Sequence, residues 1–140
     1  MTISLNFTAQ FKLEALIEVL AADQRVIFAY LYGSAARNGP ANDIDIAVYA
    51  ASDGVDVHQL SADLKIALHK KTGLAPDSFD IRILNGLPEN GDVFALLYLK
   101  NVLQQNLLLT DKTPELRSDF LEAYAFRYRE CEGLIQEVLA

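Results

Sequence analysis

The stretch Tyr32-Gly-Ser-Ala-Ala-Arg-Asn-Gly-Pro-Ala-Asn-Asp-Ile-Asp-Ile-Ala-Val48 decides how this chain folds and where its polar groups meet. It follows a run of β-branched and aromatic residues, 25–32, which predicts a buried strand that ends at Gly33-Ser34. After a spacer of eight residues, 43–49 alternates in character from one residue to the next, which predicts a second strand. The stretch therefore predicts two strands joined by a short connection.

The two ends of this connection carry groups suited to a phosphorylated ligand. Gly33 has no Cβ to cover the backbone, so the neighbouring N–H groups and the hydroxyl of Ser34 can hold phosphate oxygens. The strand period of two puts Asp43 and Asp45 on one face, at the strand start. Two carboxylates that close repel each other, and Mg²⁺, commonly held by one or two carboxylates plus substrate phosphates, is the natural ion between them.

A third carboxylate is predicted on a further strand. Residues 78–84 alternate in the same way, which places Asp80 and Arg82 on one face. Three clustered acids could hold two metal ions roughly 3.5–4 Å apart, the arrangement that stabilises attacking and leaving oxygens in phosphoryl chemistry. One ion would bind a triphosphate and the other would lower the pKa of an acceptor hydroxyl, whose proton Asp80 could take. Arg82 could pair with the acids or approach the nucleotide, and the sequence leaves both open.

Each of these signals alone has an ordinary structural explanation. An Asp-x-Asp pair at a strand start is usually just solvated, and Gly-Ser is a frequent turn. The combination is more specific, because strand, Gly-Ser, short loop, Asp-x-Asp strand and a further strand with Asp follow one another in order. That order favours catalysis.

The rest of the chain predicts helices around a small sheet. The expected class is α/β (α+β), a small mixed sheet flanked by helices, in a single domain over residues 1–140. The further elements expected from apolar periodicity and capping residues are helices at 9–22, from Asp56 to about Gly73 and at 92–104, an edge strand at 106–110, and one long helix from Pro114 to the end.

Composition limits the ligands and the compartment. The 140 residues carry 12 basic and 19 acidic side chains, a net charge of −7, which disfavours long nucleic acid and favours a metal-bound mononucleotide or a basic protein partner. Cys131 is the sole cysteine, so a zinc site with His58 and His69 is disfavoured, and these histidines are expected in solvent or capping roles. With no disulfide, targeting segment or membrane span apparent, the expected compartment is the cytoplasm.

The motif Gly33-Ser34 followed by Asp43-Ile-Asp45 resembles the minimal nucleotidyltransferase (MNT) domains of the polymerase-β superfamily, in element order over about residues 10–110. The resemblance implies an ATP- and Mg²⁺-dependent transfer of a nucleoside monophosphate to a hydroxyl. It implies that Gly33 and Ser34 bind the β- and γ-phosphates and that Asp43, Asp45 and Asp80 hold metal. Arg37 matches a basic residue of the family that touches phosphate, and an exposed turn arginine is an equal alternative. The eight-residue spacer is shorter than the family's common form, and a shortened loop would narrow the nucleotide site or change its selectivity.

A free-standing MNT domain of this size resembles the antitoxin of HEPN/MNT toxin–antitoxin pairs. That resemblance implies transfer of AMP from ATP to a tyrosine hydroxyl of the cognate HEPN ribonuclease toxin, which silences the toxin. Two alternatives stay open. One is transfer of a nucleotide to a small molecule such as an aminoglycoside, and the other is neutralisation of a toxin by binding alone.

Overall fold

The computed structural model describes residues 7–33, 43–51 and 54–140, with side chains of the first helix from Leu13 onward. The elements are α1 (Phe7–Ala22), β1 (Val26–Tyr32), β2 (Ile44–Ala50), α2 (Val57–Thr72), a 3₁₀ turn (Pro76–Ser78), β3 (Phe79–Ile83), α3 (Leu87–Asn90), α4 (Val93–Gln104), β4 (Asn106–Asp111), α5 (Pro114–Glu130) and α6 (Glu132–Leu139). The predicted class, a mixed sheet flanked by helices, is confirmed. No helix in these described ranges is long and apolar enough to cross a membrane.

The sheet has the strand order β3-β2-β1-β4. β1 runs antiparallel to both β2 and β4, whereas β2 and β3 are parallel and are joined through α2. The register pairs Tyr32 at the end of β1 with Asp45, and pairs Asp45 with Asp80 near the start of β3. The end of β1 and the starts of β2 and β3 therefore meet at one edge of the sheet.

Hydrophobic cores cover both faces of the sheet, which explains why β1 is a continuous apolar run. On the first face, leucines of α1 and α2 pack against Ile46 and Val48 of β2. On the second face, α4 and α5 pack against Phe28 and Tyr30 of β1 and against Ala47 of β2. Because residues alternate along each strand, Asp45 lies on the second face, as the sequence predicts.

The capping residues fix the ends of α2, as expected from the sequence. The Asp56 carboxylate accepts hydrogen bonds from the backbone N–H groups of His58 and Gln59 at 3.0 and 3.2 Å. At the other end, Gly73 takes φ +77° and its N–H donates to the His69 carbonyl at 2.8 Å. Such caps satisfy backbone groups that have no partner inside the helix. The helix that connects β2 to β3 is thus capped at both ends.

The prediction of one long C-terminal helix is wrong. α5 ends at Glu130, and Cys131 takes φ −100° and ψ 8° before α6 begins. Beyond this break α6 buries Ile135, which is 1% exposed, and contacts α4. One continuous helix is expected to bury an apolar stripe that includes Cys131 and Val138, but Val138 is 44% exposed and Cys131 is only partly buried. The apolar periodicity therefore continues past Glu130, whereas the helix is interrupted there.

Candidate active site

Three strand ends bring the predicted carboxylates to one edge of the sheet. Asp45 and Asp80 are direct neighbours in the parallel register of β2 and β3. Asp43 immediately precedes β2 and is exposed. Ser34 and Arg37, the predicted phosphate ligands, lie outside the described residues. The structure thus describes the acidic side of the predicted site.

Gly33 has a role that the motif alone does not reveal. Its φ is +73°, and a Cβ built on it would lie 2.5 Å from Asp45 Oδ2. The Asp45 carboxylate therefore lies directly against the glycine, in space that any other side chain would need. Glycine is required here both for the left-handed backbone and for the approach of the carboxylate.

The charges of the neighbouring side chains act on the Asp45 carboxylate. The pKa of Asp45 is raised, first because burial disfavours its charged form and then because Asp80 and Asp43 repel that charge. The guanidinium of Arg82 opposes these effects by favouring the carboxylate. An acid whose ionised form is disfavoured by two neighbouring carboxylates is suited to binding a cation.

An aromatic and cationic group lies beside the acids. Arg82 Nε is 3.5 Å from Asp80 Oδ2, so the arginine pairs with the acidic side, the first of the two roles that the sequence left open. Its guanidinium carbon also lies 5.2 Å from the centre of the Tyr98 ring. The Tyr98 hydroxyl donates to the Tyr32 hydroxyl at 3.0 Å. The sequence analysis missed both tyrosines. Tyr32 is the last residue of the predicted first strand, beside Gly33, and this position could have indicated that it lies near the site. Tyr98 lies on α4, and nothing in the sequence around it indicates a contact with the site.

The carboxylate oxygens at this site are suitable ligands for Mg²⁺, although the described side chains do not place three ligands around one point. Within residues 7–33, 43–51 and 54–140, no group of three or more His, Cys, Asp or Glu side chains is arranged to hold a metal ion. Carboxylate oxygens are nevertheless hard ligands, and Mg²⁺ usually takes only one or two of them along with water and phosphate. The repulsion of the Asp45 charge by Asp80 and Asp43, which raises the pKa of Asp45 in addition to burial, favours a cation there. The assignment of Asp43, Asp45 and Asp80 as metal ligands stays a prediction.

The residues to which the sequence gave lesser roles lie in ordinary environments. His58 and His69 are exposed on α2, and His69 Nδ1 donates to the Leu74 carbonyl at 2.8 Å, as a cap would. Lys71 Nζ forms an exposed ion pair with Glu18 at 2.7 Å. His69 contributes to the end of α2, Lys71 pairs with α1, and neither residue contacts the acidic site.

The mixed sheet gathers carboxylates and a positive-φ glycine at one edge, an arrangement suited to metal-assisted phosphoryl transfer. The chain belongs to the family described as "Polymerase beta, Nucleotidyltransferase", whose sequence model matches residues 14–115. The predicted class of enzyme, a nucleotidyltransferase, is confirmed by that membership. A comparison with curated proteins found no match.

Several solved structures share the fold. One is a chain in the complex of a tri-AMPylated HEPN toxin with an MNT antitoxin from Shewanella oneidensis, with 21% identity, coverage of 94% of this chain and 99% of that chain, and a TM-score of 0.56. Another belongs to a toxin–antitoxin crystal structure with AMP-PNP, with 20% identity, coverage of 91% and 98%, and a TM-score of 0.58. A third, from a mutant of the MntA–HpeT toxin–antitoxin, has 20% identity, coverage of 91% and 97%, and a TM-score of 0.57.

Proposed function

We propose that this protein transfers AMP from ATP to a tyrosine hydroxyl of a cognate HEPN ribonuclease toxin and thereby acts as its antitoxin. The observation that carries the proposal is the register that pairs Asp45 with Asp80 while the Asp45 carboxylate lies against Gly33. Family membership supplies the reaction class. Solved structures of similar fold include an AMPylated HEPN toxin with its MNT antitoxin and a toxin–antitoxin with AMP-PNP, which supports the acceptor and the nucleotide.

In the proposed reaction the tyrosine oxygen of the toxin attacks the α-phosphorus of ATP. The bond between that phosphorus and the bridging oxygen to the β-phosphate breaks, and pyrophosphate leaves. Asp80 takes the proton of the hydroxyl, and its side chain, 48% exposed, is accessible to an acceptor on another protein. Gly33 and Ser34 bind the β- and γ-phosphates.

Asp43, Asp45 and Asp80 would hold Mg²⁺. When bound, the ion supplies positive charge that neutralises the triphosphate and lowers the pKa of the acceptor hydroxyl. The chain's own contribution is to fix Asp45 and Asp80 on two paired strands, with Asp43 immediately before one of them. A site on strand ends holds its geometry better than one on a flexible segment.

The net charge of −7 favours a protein acceptor with a basic surface, such as a ribonuclease, over long nucleic acid. The same charge places no strong limit on a small molecule. The acceptor is therefore the part of the proposal that needs a direct test.

Intact-mass spectrometry tests the proposal. The purified protein is incubated with Mg²⁺, ATP and the HEPN-type protein encoded beside it, and we expect the partner to gain one or more AMP units on tyrosine. Asp43→Ala combined with Asp45→Ala should abolish the shift. Asp119→Ala, at an exposed aspartate on α5, is the matched control and should keep it.

The other possible outcomes of this experiment distinguish between the two alternative functions. A stable complex with no mass shift refutes AMP transfer to the partner and leaves neutralisation by binding alone or a transferase that acts on a small molecule. If neither complex nor shift is observed, pyrophosphate release with candidate small acceptors separates a small-molecule transferase from an inactive protein.

A further inference from the structure

Arg82 contacts a carboxylate and an aromatic ring at the same time. Its Nε lies 3.5 Å from Asp80 Oδ2, and its guanidinium carbon lies 5.2 Å from the Tyr98 ring centre. The side chain is 58% exposed, and an exposed arginine without such contacts would sample many rotamers. A planar guanidinium can stack on a ring and donate to a carboxylate at the same time, which a lysine ammonium cannot do.

The ring that supports Arg82 is itself fixed. Tyr98 is partly buried and packs against the core on the second face, its hydroxyl donates to the Tyr32 hydroxyl at 3.0 Å, and the two ring centres are 5.8 Å apart at 81°. Tyr32 is 4% exposed and pairs in register with Asp45. Burial raises the pKa of both phenols, so both keep their protons and the hydroxyl contact persists at neutral pH. A continuous set of contacts thus leads from the strand position of Asp45, through the two tyrosines, to Arg82 and Asp80.

We propose that Arg82 is a positioning residue for the transfer reaction: held by Tyr98, it orients the Asp80 carboxylate beside Asp45. The inference rests on the proposed function, because it assigns a role within that same site. The guanidinium also places a positive charge next to the acids, which limits their mutual repulsion while no metal nucleotide is bound. Arg82 acts through Asp80 and does not touch the nucleotide.

Steady-state kinetics separate this role from direct binding of ATP. We expect Arg82→Gln to lower kcat about 10- to 100-fold, the usual effect of removing a residue that orients a ligand, with KM for ATP changed less than about twofold. Arg129→Gln, at an exposed arginine on α5, is the matched control and should leave both values unchanged. An unchanged kcat in Arg82→Gln refutes the proposal. A raised KM with unchanged kcat also refutes it and assigns Arg82 to the nucleotide.

Arg82→Lys distinguishes the planar group from its charge. The lysine keeps the positive charge but loses the simultaneous contact with Asp80 and the ring. We therefore expect kcat of Arg82→Lys to stay close to that of Arg82→Gln. Full recovery of kcat by lysine would show that charge alone is needed and would refute positioning.

Titration with Mn²⁺ alone, followed by electron paramagnetic resonance, gives a readout that does not depend on turnover. Arg82→Lys keeps the positive charge and loses only the positioning of Asp80, so it should bind Mn²⁺ about threefold or more weakly than wild type. Arg82→Gln also loses the charge that repels the ion, so it should bind Mn²⁺ more tightly than Arg82→Lys by a factor of about three or more. Wild-type binding by Arg82→Lys refutes the positioning of Asp80, and equal binding by the two variants contradicts the placement of the guanidinium beside the carboxylates. If the wild-type protein transfers no nucleotide, the proposed function fails, and this titration still decides the place of Arg82.

The support from Tyr98 is tested by a double-mutant cycle. Tyr98→Leu removes the ring under Arg82, so it should lower kcat by a factor similar to that of Arg82→Gln. The double variant should then be no slower than Arg82→Gln alone, because both changes release the same carboxylate. Independent, multiplicative losses would refute the link. Thermal unfolding of each variant identifies any loss that comes from the fold, and Arg82→Gln, at a surface position, keeps the proposal testable if Tyr98→Leu unfolds.

Discussion

Replacing Gly33 by alanine tests whether the contact between Gly33 and the Asp45 carboxylate matters for activity. The added methyl would lie 2.5 Å from Asp45 Oδ2, whereas ordinary contacts of this kind begin at 3.4 Å. The carboxylate must therefore move by about 1 Å, because the β1–β2 pairing fixes the backbone of Asp45 and of Tyr32, which immediately precedes Gly33. A displacement of about 1 Å at a reacting group lowers the rate by roughly 10²-fold.

The same substitution also destabilises the fold. Gly33 has φ +73°, and an alanine in the left-handed region costs about 1–2 kcal/mol. For a domain of this size each 1 kcal/mol lowers Tm by roughly 3–4 °C. Activity and stability are thus both expected to fall, and a control is needed to separate them.

Gly73→Ala is the matched control. Gly73 has φ +77°, close to that of Gly33, but a Cβ there would meet nothing within 4 Å. Both variants should lose similar stability in urea unfolding, yet only Gly33→Ala should lose about 10²-fold in the rate of AMP transfer at a temperature where both are folded. Wild-type activity in Gly33→Ala, or an equal loss in Gly73→Ala, would refute the reasoning.

Three further predictions concern two carboxyl groups with shifted pKa values and one side chain that makes two hydrogen bonds to the backbone. Asp45 has a raised pKa, so its ionised form destabilises the fold progressively as pH rises above 3.8. Asp45→Asn should therefore raise Tm at pH 7 in EDTA, and a lower Tm would contradict this. The same variant should lower the rate of AMP transfer by more than about 10²-fold. The hydrogen bonds from Arg25 lower the pKa of Asp23, so the stability that Asp23 contributes is present above pH 3.8 and is lost as pH falls below that value. Wild type should therefore lose more stability than Asp23→Asn between pH 5 and pH 3 in urea titrations, and parallel curves would refute it. The side-chain amide of Asn85 accepts a hydrogen bond from the Ala50 N–H at 2.8 Å and donates one to the Ala50 carbonyl at 2.7 Å. Asn85→Ala should therefore lower the free energy of unfolding by about 2–3 kcal/mol. A loss below about 0.5 kcal/mol would show that water replaces both bonds.

The site could be predicted from sequence as far as local patterns reach. Alternation in 43–49 and 78–84 places Asp45 and Asp80 on matching faces, and the structure has both on the second face of the sheet. The motif around Gly33 also predicts the family, which the match over residues 14–115 confirms. Ser34, Arg37 and the single-domain boundary at 1–140 stay predictions.

Contacts between distant segments required the tertiary structure. The parallel register that sets Asp45 beside Asp80, and the packing of Tyr98 against Tyr32 and Arg82, join residues far apart in the chain, for which local periodicity carries no information. The break at Cys131 is similar, because the apolar pattern of this segment fits one continuous helix and carries no signal of the interruption. The sequence by itself determined the strands, their faces and the acidic motif, since these depend on residue spacing. Only the tertiary structure decided which groups touch, because that depends on how the helices pack on the sheet.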